Sequence, residues 1–160
     1  MKEKILRLLG NEARLSNEEI GVALGITEEQ VKKEISELEA SGVIRGYKCI
    51  IDRESLCASE VTAIIELKVT PRAGRGFEYV AEIISGYPQV EYCALLSGAS
   101  DLIISVRGKG LQEISSFVSG ELALIDGVTS TSTQFIMRKY KELGVCLFGD
   151  ADDERGRISL

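Results

Sequence analysis

The spacing of apolar residues divides this chain near residue 52 into a helical half and a half that alternates. Ile5, Leu6, Leu8 and Leu9 predict a short helix over 3–9, ending near Gly10. Leu15-Ser16-Asn17-Glu18-Glu19-Ile20 is a helix start. Ser16 stands as cap, Glu19 as its capping-box partner, and Leu15 and Ile20 are spaced as a hydrophobic staple. The same grammar returns at Ile26-Thr27-Glu28-Glu29-Gln30-Val31, with Thr27 as cap and Gln30 as box partner. Between the two starts, Ala23-Leu24-Gly25 closes the first helix, and Gly25 supplies the positive φ that a sharp turn needs. In the second helix Val31, Ile35 and Leu38 form one stripe, and Gly42 ends it with Val43 and Ile44 returning to the core. Residues 45–51 read as a short strand or wing. The segment is either an ordinary helical hairpin or a winged helix-turn-helix, whose second helix enters the DNA major groove. The tight glycine turn favours the second.

From residue 61 the period falls from 3.6 to 2. Val61, Ala63, Ile65, Leu67 and Val69 alternate with Thr62, Ile64, Glu66, Lys68 and Thr70, a half-buried strand that Pro71 ends. Phe77, Val80, Ala81 and Ile84 predict a helix, 90–97 and 101–107 two strands, and Leu111, Ile114, Val118 and Leu122 a second helix. A long strand over 128–139 follows, and 145–148 is expected to add a short edge strand. The order βαββαβ is the ferredoxin-like plan, with two helices on one face of an antiparallel sheet. The fold class is therefore α+β, an N-terminal winged helix-turn-helix domain plus a C-terminal ferredoxin-like βαββαβ domain. The expected boundaries are 1–52 for the first domain, 53–60 for a linker, 61–148 for the second domain and 149–160 for a polar, disordered tail. Both residue sets of the central strands are apolar, Tyr92 and Leu96 against Cys93 and Leu95, and Leu102 and Ile104 against Ile103. An apolar face with nothing left to cover it implies at least a homodimer packed sheet to sheet.

Composition narrows the chemistry. Among 160 residues there is no histidine, so a Ser-His-Asp or Cys-His nucleophile lacks its base, and zinc and haem lack their usual ligand. Cys49, Cys57, Cys93 and Cys146 are scattered without a C-x-x-C pair and read as reduced, mostly buried thiols of a cytoplasmic protein. Gly74-Arg75-Gly76 and Gly108-Lys109-Gly110 read as turn glycines, and no nucleotide-binding motif is present. No apolar run reaches membrane-spanning length, and no secretion signal precedes the first helix. The expectation is a non-enzyme that needs no cofactor or metal and has no membrane partner.

The ordered landmarks resemble the leucine-responsive regulatory protein/asparagine-synthase regulator (Lrp/AsnC) family of transcription factors, from about Ile5 to Tyr140. They are Ala13-Arg14-Leu15-Ser16, Leu24-Gly25-Ile26-Thr27, the passage from Leu38 to Tyr47 (LEASGVIRGY), Leu96-Ser97-Gly98-Ala99-Ser100-Asp101 as an S-G-x-x-D loop, and the Thr-rich last strand. The resemblance implies a bacterial or archaeal regulator that binds double-stranded DNA through its N-terminal domain. It also implies that the C-terminal domain assembles dimers into tetramers or octamers, and binds a small, amino-acid-like effector between dimers. Mapped here, the effector-binding residues are Ser97, Gly98, Asp101, Thr131 and Thr133. Gly98 permits close backbone approach and Asp101 can hold an ammonium group, although a hairpin turn in which Asp101 caps backbone donors explains the same residues. Some haem-pathway decarboxylases resemble the two-domain plan, but they use histidine.

Charge sits awkwardly with DNA. Residues 1–52 carry eight basic and ten acidic side chains, and the recognition helix has five glutamates against Lys32 and Lys33. Glu34 stands where members of the family commonly carry arginine. The DNA-binding set is expected to be Arg14, Thr27, Gln30, Lys32, Lys33, Ser36, Arg45 and Lys48, with Lys32, Lys33 and Ser36 on one outward sector. Gln30 is open between box partner and adenine reader, and Glu28 and Glu29 between cytosine acceptors and first-turn acids. A few contacts per protomer, multiplied over an oligomer, predict weak half-site binding with strong salt dependence. An amino-acid-sensing oligomer that has lost DNA binding is the alternative.

Overall fold

The computed structural model describes residues 1–53 and 60–147. The expected linker centre, Cys57 and the tail from residue 149 lie outside the described residues. The chain divides into two compact units between Ile51 and Asp52.

In the first unit, α1 (Lys2–Asn11), α2 (Asn17–Leu24) and α3 (Glu28–Ala40) surround a small core of Ile5, Ile20 and Val31. Leu8, Leu9, Leu15, Leu24, Ile26 and Ile35 pack around it. Both staples therefore reach the core. Helix α1 runs through Gly10, one residue past its expected end. Gly42, at φ 71°, ends α3, with Gly42 N–H donating to the Glu39 carbonyl (3.0 Å) and Val43 N–H to that of Leu38 (2.9 Å). Of the two residues expected to return to the core, Ile44 is half-buried but Val43 is exposed. Residues 46–51 form no strand, because no other strand in the unit offers a ladder to pair with.

In the second unit, β1 (Val61–Val69), β2 (Val90–Leu95), β3 (Leu102–Gly108) and β4 (Val128–Phe135) make one antiparallel sheet in the order β2-β3-β1-β4. Helices α4 (Glu78–Ser85) and α5 (Leu111–Gly120) cover one face. Ala63, Ile65, Leu67 and Val69 of β1 and Leu102, Ile104 and Val106 of β3 bury there with Val80, Ile84, Ile114 and Phe117. This is the βαββαβ plan. Strand β4 stops at Phe135, earlier than expected, and 145–148 does not join the sheet. Instead β6 (Val145–Cys146) pairs with β5 (Lys141–Glu142) as a separate hairpin, and Phe148 lies outside the described residues.

The uncovered sheet face is less apolar than expected. Cα pairing places Thr62, Ile64, Glu66 and Lys68 beside Arg107, Ser105 and Ile103 on one side and Gln134, Ser132 and Ser130 on the other, with Tyr92 and Ala94 beyond β3. Only Ile64, Ile103, Ala94 and Tyr92 are apolar, a patch ringed by polar groups. Cys93 and Leu95 belong to the helix face, where Leu95 is nevertheless exposed. The cysteines also differ from expectation, since Cys49 and Cys146 are exposed and Cys93 is half-buried.

Candidate functional site

Two side chains fix the start of α3. Thr27 Oγ1 accepts from Gln30 N–H (3.3 Å), and Gln30 Oε1 accepts from Thr27 N–H (3.0 Å). Ser16 and Glu19 do the same for α2, at 3.1 and 2.7 Å. Bonding to Ser16 holds the Glu19 carboxyl below its ordinary range, chiefly through the Ser16 backbone N–H and then its hydroxyl. The αL turn at Gly25 (φ 68°) joins the helices. A glycine that the sequence reading passed over matters as much. Gly21 is buried, its carbonyl accepts from Ile26 N–H (3.0 Å), and a Cβ there would stand 2.8 Å from the Ile26 carbonyl oxygen. The signal was available: a glycine in mid-helix, four residues before the turn glycine, marks a close backbone approach.

With the turn so fixed, Lys32, Lys33 and Ser36 of α3 are exposed, away from the buried Val31 and Leu38. Thr27 and Gln30 are exposed too, but each already spends an oxygen on the capping box. Arg14, Arg45 and Lys48 are exposed on the segments flanking the helix pair. The glutamates are less hostile to an anion than their number suggests. Glu37 pairs with Lys2 of α1 (2.8 Å). That bond first, and then the Lys2 charge, lowers the Glu37 pKa, and the same pairing with added help from the Glu34 charge raises that of Lys2. Glu34 has its Oε2 buried and without a hydrogen bond. Glu39 accepts from the Tyr47 hydroxyl (3.0 Å), whose pKa is pushed up by burial and then by Glu39. Glu28 and Glu29, in the first turn, stay beside the lysines, and Glu37 also feels the Lys33 charge.

The other expected residues fall into two groups. Ser97 and Gly98 are exposed in the β2–β3 loop. Asp101 closes that loop: its N–H donates to the Leu67 carbonyl (2.9 Å), and its Oδ2 accepts from Val69 N–H (2.8 Å). Val69 N–H faces the β3 side, where the ladder ends at the Leu67–Leu102 pair; on the β4 side, where the ladder slips at Lys68/Val69, Thr129 Oγ1 donates to the Lys68 carbonyl (3.1 Å). The backbone-capping use of Asp101 is therefore present. Thr131 and Thr133 pair with Leu67 and Ile65, so they share the helix-covered face at the β4 edge, both half-buried. Asp101 and Thr131 flank Leu67 from opposite sides, two strand spacings or roughly 10 Å apart. One protomer does not gather the five residues around a single small ligand. What it does gather, unforeseen, is Ser100, Glu66 and Gln134 on the open face: Ser100 Oγ donates to Glu66 Oε2 (2.8 Å), and Gln134 Nε2 reaches Glu66 Oε1 (3.5 Å). A cavity of about 250 Å³ opens at the other end of β3, where Arg107 pairs with Glu91 (2.7 Å), and holds none of the expected residues.

Two family models match these two halves. Residues 1–45 match a winged helix-turn-helix DNA-binding domain, and residues 62–145 match the Lrp/AsnC ligand binding domain. The chain belongs to the Lrp/AsnC family of transcriptional regulators. It is 40% identical over 157 residues to YugG, an uncharacterized HTH-type transcriptional regulator of Bacillus subtilis, covering 98% of this chain and 95% of that one. The leucine-responsive regulatory protein of Rhizobium meliloti is 26% identical over 139 residues, 87% of this chain and 88% of its own. Among solved structures, that of the transcriptional regulator NMB0573 with L-Met from Neisseria meningitidis superposes with a TM-score of 0.69 at 23% identity, covering 88% and 90% of the two chains. That of Escherichia coli AsnC gives 0.65 at 16%, covering 88% and 93%. These likenesses establish the Lrp/AsnC fold: an N-terminal helix-turn-helix and a C-terminal ligand-binding α+β domain. No helix among the described residues is long and apolar enough to cross a membrane.

Proposed function

We propose that this Lrp/AsnC regulator binds DNA sequence-specifically, responds to an amino-acid effector, governs genes of amino-acid-related metabolism and acts through assembly of homodimers into larger oligomers. The observation that carries the DNA reading is the outward sector of α3. There Lys32, Lys33 and Ser36 stand exposed on a helix whose start is fixed by two hydrogen bonds, with Glu37 bonded to Lys2 and Glu39 to Tyr47. Arg14, Arg45 and Lys48 bind flanking phosphates, and Thr27 and Gln30 contribute at the helix start.

The effector reading rests on the family and on the loop 97–101. Gly98 is exposed with open space around it, and Asp101 supplies a negative charge that suits an ammonium group. Because Thr131 and Thr133 lie on the other side of β1, the complete site takes Ser97, Gly98 and Asp101 from one protomer and the two threonines from a second. That arrangement couples occupancy to assembly, since the ligand then has different affinity for assembled and free chains. The L-Met bound to the Neisseria relative supports an amino acid as the class of ligand. Cytoplasmic DNA is the expected target.

The test is fluorescence anisotropy on the promoter region of the protein's own gene, across a salt series, with and without each of the twenty amino acids. Sequence-dependent binding that weakens steeply with salt and shifts with one amino acid is the expected result. The acidic balance of α3 favours one second reading, an amino-acid-sensing oligomer without DNA binding. Absence of binding at low salt, together with an amino-acid-dependent thermal shift, would establish that reading instead.

A further inference from the structure

The faces of α3 are set by helical periodicity. Val31, Ile35 and Leu38 turn inward. Glu29, Lys33 and Ser36 each precede one of them by two residues, about 200° around the helix. The second set therefore forms the stripe opposite the core, and every member of it is exposed. Glu29 leads that stripe as the second residue of α3, and the N-terminal residues of a recognition helix are those that meet base edges. Its neighbours are otherwise placed. Gln30 has given its Oε1 to Thr27 N–H (3.0 Å), and Glu28 stands about 100° back toward the Ile35 flank. Among the described residues Glu29 takes no hydrogen-bond or ion-pair partner, although Lys32 and Lys33 follow it at i+3 and i+4. The helix dipole favours an acid anywhere in the first turn. It does not explain one on the face turned to the duplex, where phosphates repel it.

We infer that Glu29 is a base-reading residue, its carboxylate accepting a hydrogen bond from N4 of a cytosine in each half-site. The inference deepens the DNA reading proposed above and rests on it. In the major groove only cytosine and adenine offer a donor, while guanine and thymine present acceptors. Adenine also sets its N7 acceptor beside the N6 donor, and cytosine has no acceptor next to N4. A carboxylate, which only accepts, thus finds an unopposed partner in cytosine alone. The flanks of the stripe hold Lys32 on one side and Glu37, bonded to Lys2 (2.8 Å), on the other. Lys33 one turn along and Lys32 beside it offset the repulsion between Glu29 and the phosphates. Where the site lacks cytosine, the carboxylate stays in the groove without a donor, and that unpaired charge rejects the wrong sequence.

The test is selection of bound duplexes from a random-sequence pool by the full chain at low salt, followed by anisotropy titrations on the selected duplex. The parent is expected to enrich cytosine at one position of each half-site. Replacing it with any other base should lower affinity about tenfold or more. Glu29→Gln is expected to admit adenine there, because an amide can donate to N7 while accepting from N6. Glu29→Ala should lose the preference at that position and keep it at the others, which also shows that the variant still folds. A parent that binds no duplex removes the DNA reading and this inference together. Three results would leave the DNA reading standing and overturn the role of Glu29. They are a parent that enriches no cytosine, a Glu29→Ala chain that keeps the cytosine preference, and a Glu29→Gln chain that rejects adenine as the parent does.

Discussion

A Cβ at Gly21 would meet a backbone carbonyl, that of Ile26, and the turn between α2 and α3 has no slack to move it, because Gly21 and Ile26 are hydrogen-bonded to each other. Gly21→Ala is therefore expected to destabilise the first unit by about 1–3 kcal/mol, the range of an overpacked buried site, despite alanine's better helix propensity. Urea unfolding followed by far-UV circular dichroism measures it; an unchanged midpoint would show that the turn can widen. Lys33 illustrates the opposite kind of residue, one whose loss leaves the fold alone. Lys33→Ala should weaken DNA binding about equally on all sequences and lower the salt slope by about one ion per protomer in contact. The Lys2–Glu37 pair has its own pH signature. The Glu37 pKa is lower folded than its ordinary 4.5, so the contribution is present above that value and fades as pH falls through the folded pKa. Lys2 is raised from 10.5, so the contribution also fades as pH rises through its folded pKa. Glu37→Gln should thus lower the melting temperature slightly between those limits, and the two melting curves should converge in acid and in strong base.

At the scale of elements, the helical half was legible in the sequence because its signals are local. Each capping box spans four residues and each staple six, so Ser16, Glu19, Thr27 and Gln30 could be placed without knowing the tertiary fold. The sheet was legible through period 2, which fixed the strands but not what lay across them. Neither the β1–β4 slip at Lys68/Val69 nor the end of the β1–β3 ladder at Leu67 left a trace in the alternation, and so the use of Thr129 and Asp101 to satisfy the freed backbone groups stayed hidden. For the same reason Thr131 and Thr133 could be put on one face, while which face depended on the pairing with Leu67 and Ile65. Residues 46–51 show the limit from the other side, since a β-prone stretch without a neighbour makes no strand. Asp101 now permits a test that separates scaffold from ligand contact. Asp101→Asn keeps a carbonyl oxygen for Val69 N–H, so stability should stay close to that of the parent. Asp101→Ala leaves that donor unpaired and should cost about 1–3 kcal/mol. If Asp101 also holds the effector's ammonium, the asparagine variant should keep its melting temperature yet lose the thermal shift that an amino acid gives the parent. Retention of that shift would confine Asp101 to the scaffold.

For the whole molecule the decisive quantity is how little positive charge each copy brings to DNA. The chain carries a net −6, and the cations proposed to meet DNA are Arg14, Lys32, Lys33, Arg45 and Lys48, Lys2 being bonded to Glu37. On the proposed reading a single copy neutralises few phosphates, so a weak half-site affinity is expected. Linking two copies makes the second contact intramolecular, at an effective concentration in the millimolar range when the spacing fits. A duplex with two properly spaced half-sites should therefore bind about a hundredfold or more tightly than one half-site, a gain that comes from linkage without any new contact. The same reasoning requires the gain to disappear when assembly does. Diluted below the concentration at which copies assemble, the chain should bind the two duplexes alike, each as weakly as a single half-site. Competition titrations at fixed salt measure both ratios. A parent that shows no preference for paired half-sites would mean that each copy reads DNA alone, and the cations of one α3 would then have to supply all the affinity, against the five glutamates on the same helix.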